Sequence, residues 1–282
     1  MKIVPNSIIE ILTVKCIFGL IVPIAVLFIC KYCAKLKLFP AFIGAFTYIV
    51  FECVISTFAS TSLLASFPGL SATISEKAVA YAAFVGLFSA IFGESGRFIS
   101  FRYIMNGKYP GVRHAFAYGI GQSCIELFIV LGLSSAFYLL FSASVNYGIS
   151  TEEISGAISS DPAAISATIA ELSGLNARLF FLTIIERTVA FAAGILLSLL
   201  MQYSAARNSL LHIIGCFILH FAVSFCIAYI PSLQNALLAE ALFAITVCAG
   251  LVIFTKNAHR MIAVCIYKNL YYDEDKKEHL LL

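Results

Sequence analysis

Seven apolar runs, each about as long as a membrane-crossing helix, take up most of this chain and leave it few ways to fold. They cover residues 8–30, 41–59, 78–98, 115–141, 177–201, 210–229 and 236–254. A hydrocarbon core about 30 Å thick is crossed by about 20 helical residues. Inside it, every backbone N–H and C=O must find its partner within the segment. The expected fold is all-α: a polytopic integral membrane protein of about seven transmembrane helices, with residues 1–282 forming a single transmembrane domain. Composition agrees. The chain is 61% hydrophobic and 12% charged, with a mean hydropathy of +0.97, whereas soluble domains carry about 25% charged residues. The net charge of +3 is small and its basic residues are scattered, which excludes a nucleic-acid partner.

The connections set an orientation. One set holds Lys31, Lys35, Lys37, Arg102, Lys108, Arg113, Arg207, Lys256 and Arg260, while the opposite set holds only Lys2 and Lys77, with Arg178 at the edge of a span. By the positive-inside rule the first set is cytoplasmic, which puts the N-terminus outside and residues 255–282 in a cytoplasmic tail. The first run lacks a small-residue cleavage site and reads as a retained helix rather than a signal peptide. Residues 142–176 then form an exterior loop without Lys or Arg. Within it, Ser160-Asp161-Pro162 reads as a helix start and Gly174 as a stop, giving a short helix in a lid or, more plainly, a solvated linker. The nine cysteines fall within or beside apolar runs and read as packing residues. Cys30-Lys31-Tyr32-Cys33 lacks the second pair that a zinc or redox motif would need, and no disulfide is expected.

Ionisable residues inside the runs carry the functional signal. They lie in Gly93-Glu94-Ser95-Gly96-Arg97, in Gln122 and Glu126, in Glu186-Arg187 and at His220. A charge at the centre of a membrane helix costs about 2.5–3.5 kcal/mol, so such residues are expected to face one another. Glu94 and Arg97 are three apart and can pair along one helix. Gln122 and Glu126 share a face, as do His220 and Ser224. Gly119 and Gly121 open a path for another backbone. Arg187 must reach sideways, to Glu94 or to Glu126. Glu10 and Lys15 lie on the first helix as blander charges, and Glu52 on the second reads as a lone packing or pathway residue. Glu240 reads as a snorkelling group, and His114 and His212 as helix caps. A purely structural ion network is the plain alternative for the whole set.

These motifs resemble those of the YhfC-like membrane peptidase family, a relative of the CAAX-protease and PrsW-type intramembrane peptidases. Phe92-Gly93-Glu94-Ser95-Gly96-Arg97-Phe98 is similar to the family's E-x-G-R motif on the third helix, and Tyr118-Gly119-Ile120-Gly121 through Glu126 to its G-x-G-H-G-G-x-E motif on the fourth. Glu186-Arg187 matches an E-R on the fifth helix, and Leu219-His220-Phe221 a histidine motif on the sixth. The resemblance implies an intramembrane peptidase, glutamate-dependent or metal-dependent, with a catalytic set of Glu94, Arg97, Gln122, Glu126, Glu186, Arg187 and His220. It implies a divalent metal such as zinc, with Glu126 and His220 as its candidate ligands here. It also implies a bacterial-type cytoplasmic membrane and a membrane-protein or lipidated-peptide substrate. The chain departs from the family's pattern where the chemistry lies. Gln122 stands at a histidine position, Ser123-Cys124 replaces a glycine pair, residues 188–194 lack a histidine, and Ser224 stands at an aspartate position. Two other readings stand beside the peptidase: a non-catalytic binder of a transmembrane or lipidated partner, and a proton-coupled small-molecule transporter.

Overall fold

The computed structural model describes residues 4–106, 109, 111–158, 162–174, 177–233, 235, 239, 241–250 and 252–253. The regular elements among them are helical: α1 (Asn6–Tyr32), α2 (Phe39–Ser66), α3 (Pro68–Glu76), α4 (Ala78–Ile104), α5 (Val112–Asn146), α6 (Thr151–Ile158), α7 (Pro162–Gly174), α8 (Ala177–Arg207), α9 (Leu210–Tyr229) and α10 (Ala241–Gly250). Six of these described helices, α1, α2, α4, α5, α8 and α9, are long and apolar enough to cross a membrane. Helix α10 lies in the seventh run, of which residues 236–238, 240, 251 and 254 fall outside the described residues, as does the 255–282 tail. Prolines mark several starts: Pro40 in the first turn of α2, Pro68 opening α3, and Pro162 opening α7. There the missing N–H costs nothing. Helix α8 stops at Arg207 because Asn208 turns left-handed, at φ 52°, a conformation asparagine tolerates better than most residues.

Three of the long helices contain a π-helical stretch: Tyr48–Ser56 in α2, Ser100–Ile104 in α4 and Phe128–Leu133 in α5. Such stretches are rare and re-aim the side chains they carry. Large apolar side chains lie open along the outer faces, with Ile24 68% and Phe58 73% exposed. In water these faces would invite aggregation; in a bilayer they meet lipid.

The chain divides into two compact units, Met1–Ala25 with Glu126–Arg187, and Val26–Ile125 with Thr188–Leu282. In the first, Val4, with Ile8 and Leu12 of α1, packs with Phe141 and Val145 of α5, Ile154 of α6, and Ile165 and Leu172 of α7. The Val4 N–H donates to Asn146 Oδ1 at 2.9 Å, and Asn146 Nδ2 donates to the Val4 carbonyl at 3.1 Å. The solvated-linker reading of 142–176 therefore gives way. Helix α5 runs on to Asn146, and α6 and α7 bury apolar residues in a core; the α7 bounds match the proline and glycine signals.

The second unit is closed by glycines. A Cβ on Gly121 would strike the Ala41 backbone, one on Gly44 the Tyr118 carbonyl, and one on Gly119 the Ile195 Cα. Helices α2, α5 and α8 thus meet backbone to backbone, the close approach that small residues permit between membrane helices. Around them lie Phe101, Tyr118, Ile120, Cys124, Leu199 and Met201. Helix α9 packs along α4, and Gly86 sits against the Phe221 carbonyl.

Candidate functional site

Helix α4 carries the centre of the site. Glu94 and Arg97 stand one turn apart, 0% and 3% exposed, and Arg97 Nη1 donates to Glu94 Oε1. From α9, His220 brings Nδ1 to 2.8 Å from the same Glu94 oxygen and 3.1 Å from Arg97 Nη1. A guanidinium only donates, and one imidazole nitrogen cannot both accept from it and donate to a carboxylate. With Glu94 ionised, the proton belongs on Nδ1 and the bond runs from His220 to Glu94. The pairing is what makes the burial tolerable, because an isolated carboxylate would cost far more here than a paired one.

Gly93 explains how the helices come so close. A Cβ there would lie 2.6 Å from His220 Cε1 and 2.9 Å from Glu52 Oε1. The vacant side-chain position is the space in which the imidazole and a second carboxylate converge. Glu52 comes from the π-helical stretch of α2, and its Oε1 accepts from Gln122 Nε2 of α5 at 3.0 Å. The reading of Glu52 as a lone packing or pathway residue is thereby corrected: it belongs to the cluster. Its fellow members are Glu94, Arg97, Gln122 and His220. Beneath them Thr47 and Ser100 share a hydrogen bond of 2.8 Å, and the Tyr118 hydroxyl donates to Ser100 at 3.4 Å.

The other three expected site residues make different contacts. In the unit that holds α1, Arg187 Nη1 of α8 donates to Glu126 Oε1 at 3.3 Å, with about a quarter of each side chain exposed. Arg187 therefore reaches Glu126, one of the two partners foreseen for it. Glu186 is 4% exposed and Lys15 of α1 is 7% exposed, within electrostatic reach of each other. Two cations and two carboxylates so tie α1, α5 and α8 together. Lys15, a charge that no motif of the sequence singled out, is an electrostatic member of this set. Its only sequence signal was a charge in mid-run.

The family model described as YhfC intramembrane metalloprotease matches residues 18–249. The chain belongs to this family. A Bacillus subtilis (strain 168) relative, described as an uncharacterized membrane protein YhfC, is 26% identical over 191 residues, covering 67% of this chain and 71% of the relative. No solved structure matches the chain.

The family's description implies a metal, and the donors here do not fit one. Glu94 Oε1 and His220 Nδ1, the pair a cation would share, both already face the Arg97 guanidinium, and Glu126 is turned to Arg187. A divalent ion on Glu94 and His220 would compete with a permanent positive charge for the same two atoms. Among the described residues, no three His, Cys, Asp or Glu side chains are arranged to hold a metal. Of the two metal candidates read from the sequence, Glu126 is engaged by Arg187, and His220 by Glu94 and Arg97.

Proposed function

We propose that this protein is an intramembrane peptidase of the glutamate-dependent kind. It would cut a peptide bond in a transmembrane or lipidated segment of its substrate, in the cytoplasmic membrane. One observation carries the reading. Glu94 Oε2, Arg97 Nε and Gln122 Oε1 are buried without a hydrogen-bond partner among the described residues, and all three belong to the cluster around Gly93. Buried polar atoms are nearly always satisfied, so unspent donors and acceptors gathered in one cluster call for a polar guest. A peptide group and a water molecule supply both kinds of partner.

The chemistry follows from what each group can do. A carboxylate takes a proton from water as its oxygen bonds to the scissile carbonyl carbon. The C–N bond then breaks, and the same proton goes to the leaving nitrogen. Donors on Arg97 and Gln122, joined by His220 whenever its second ring nitrogen carries a proton, stabilise the oxygen that gains the negative charge. Glu94 holds His220 and Arg97 in position for this. Glu126, Arg187, Glu186 and Lys15 hold α1, α5 and α8 together.

N-terminal peptide mapping of native membranes tests the reading. Membranes with wild-type protein should contain new chain starts in or beside transmembrane segments, and these should vanish with the His220→Ala variant at equal abundance. Identical maps would favour the non-catalytic binder, a reading that the complete enclosure of Glu94 also supports. Since the donors are committed to Arg97, cleavage should survive 1,10-phenanthroline; loss on chelation and return with zinc would show that the cluster rearranges around a metal.

A further inference from the structure

Two carboxylates sit in the cluster, and they are not equivalent. Glu94 is 0% exposed, and its Oε1 is claimed by both Arg97 and His220. Neither of its oxygens is exposed, and Oε2 is enclosed as fully as Oε1. Water and substrate would also have to displace the packing around it. Glu52 is half-buried, on α2, and its Oε1 lies beside His220 across the empty side-chain position of Gly93. Gln122 Nε2 holds that oxygen at 3.0 Å, which fixes its direction. Glu52 lies in the π-helical stretch Tyr48–Ser56, and such stretches recur at functional sites.

We propose that Glu52, rather than Glu94, is the reacting carboxylate of this site: the group that reaches water, takes its proton and returns it to the leaving nitrogen. The proposal rests on the peptidase reading for its chemistry, but not for its central claim about which carboxylate is reachable. Gln122 is then a positioning residue for Glu52. This gives the glutamine a role at a position where the family pattern has a histidine: its amide can aim a carboxylate.

The test treats intact protein in native-lipid nanodiscs with dicyclohexylcarbodiimide, an apolar reagent that couples to reachable protonated carboxyls, and maps the adducts by mass spectrometry. Glu52 should be modified at least 10-fold faster than Glu94, and Gln122→Ala should change the Glu52 rate without exposing Glu94. Faster labelling of Glu94 overturns the proposal, whatever the activity. In parallel, Glu52→Gln should lower cleavage by about 100-fold or more, the scale of a lost general base. Glu52→Asp, which keeps the carboxylate, should restore part of that loss. Full cleavage by Glu52→Gln overturns the assignment. Absence of cleavage by wild type overturns the peptidase reading instead, and the labelling still decides which carboxylate the site presents.

Discussion

At the scale of single residues, the buried Glu94–Arg97 pair makes the sharpest stability prediction. Removing one partner leaves an uncompensated charge, so Arg97→Met should destabilise the protein by about 3–5 kcal/mol. Adding Glu94→Gln to Arg97→Met should recover much of that loss, because no lone charge then remains buried. Unfolding titrations of the two single variants and the double variant measure the coupling directly. A sum that adds without coupling would mean the two side chains do not depend on each other. Much at this scale was legible from spacing: an i, i+3 separation places Glu94 and Arg97 on one helical face, and Arg187 did find Glu126. Glu52 was not legible. Its π-helical segment breaks the period by which faces are counted, and its partner Gln122 lies 70 positions away.

At the scale of elements, glycines decide how near the helices come, and they divide into two kinds. Gly121→Ala would drive a methyl group into the Ala41 backbone, which cannot swing aside. We expect a cost of about 1–3 kcal/mol, read as a lower midpoint of unfolding. Gly93→Ala would meet the ends of two flexible side chains, His220 and Glu52. That variant should keep most of its stability and lose its cleavage, since the displaced atoms are those of the site. Gly215 faces open space, so Gly215→Ala should leave both stability and cleavage unchanged. Comparing the three variants by thermal unfolding and peptide mapping separates packing from chemistry. The sequence showed that Gly119 and Gly121 could admit a backbone; which backbone arrived was a matter of tertiary packing.

At the scale of the whole molecule, the basic connections predict a cytoplasmic C-terminus. A green fluorescent protein fused after Leu282 should fluoresce, and alkaline phosphatase at the same position should stay inactive. The reverse pattern would refute the orientation. Sequence alone determined that the chain is helical and membrane-embedded, because apolar runs of about 20 residues have few other ways to satisfy their backbone in lipid. It also placed α7 within one residue, because proline and glycine act locally. The tertiary structure decided how the ionisable residues are shared out. His220 belongs to Glu94, Glu126 belongs to Arg187, and Lys15 and Glu52 enter sets that no motif assigned to them. Depth along a helix can be counted from the sequence. The direction each charge faces depends on helix rotation and on close contacts between distant segments, and those were settled only when the helices packed.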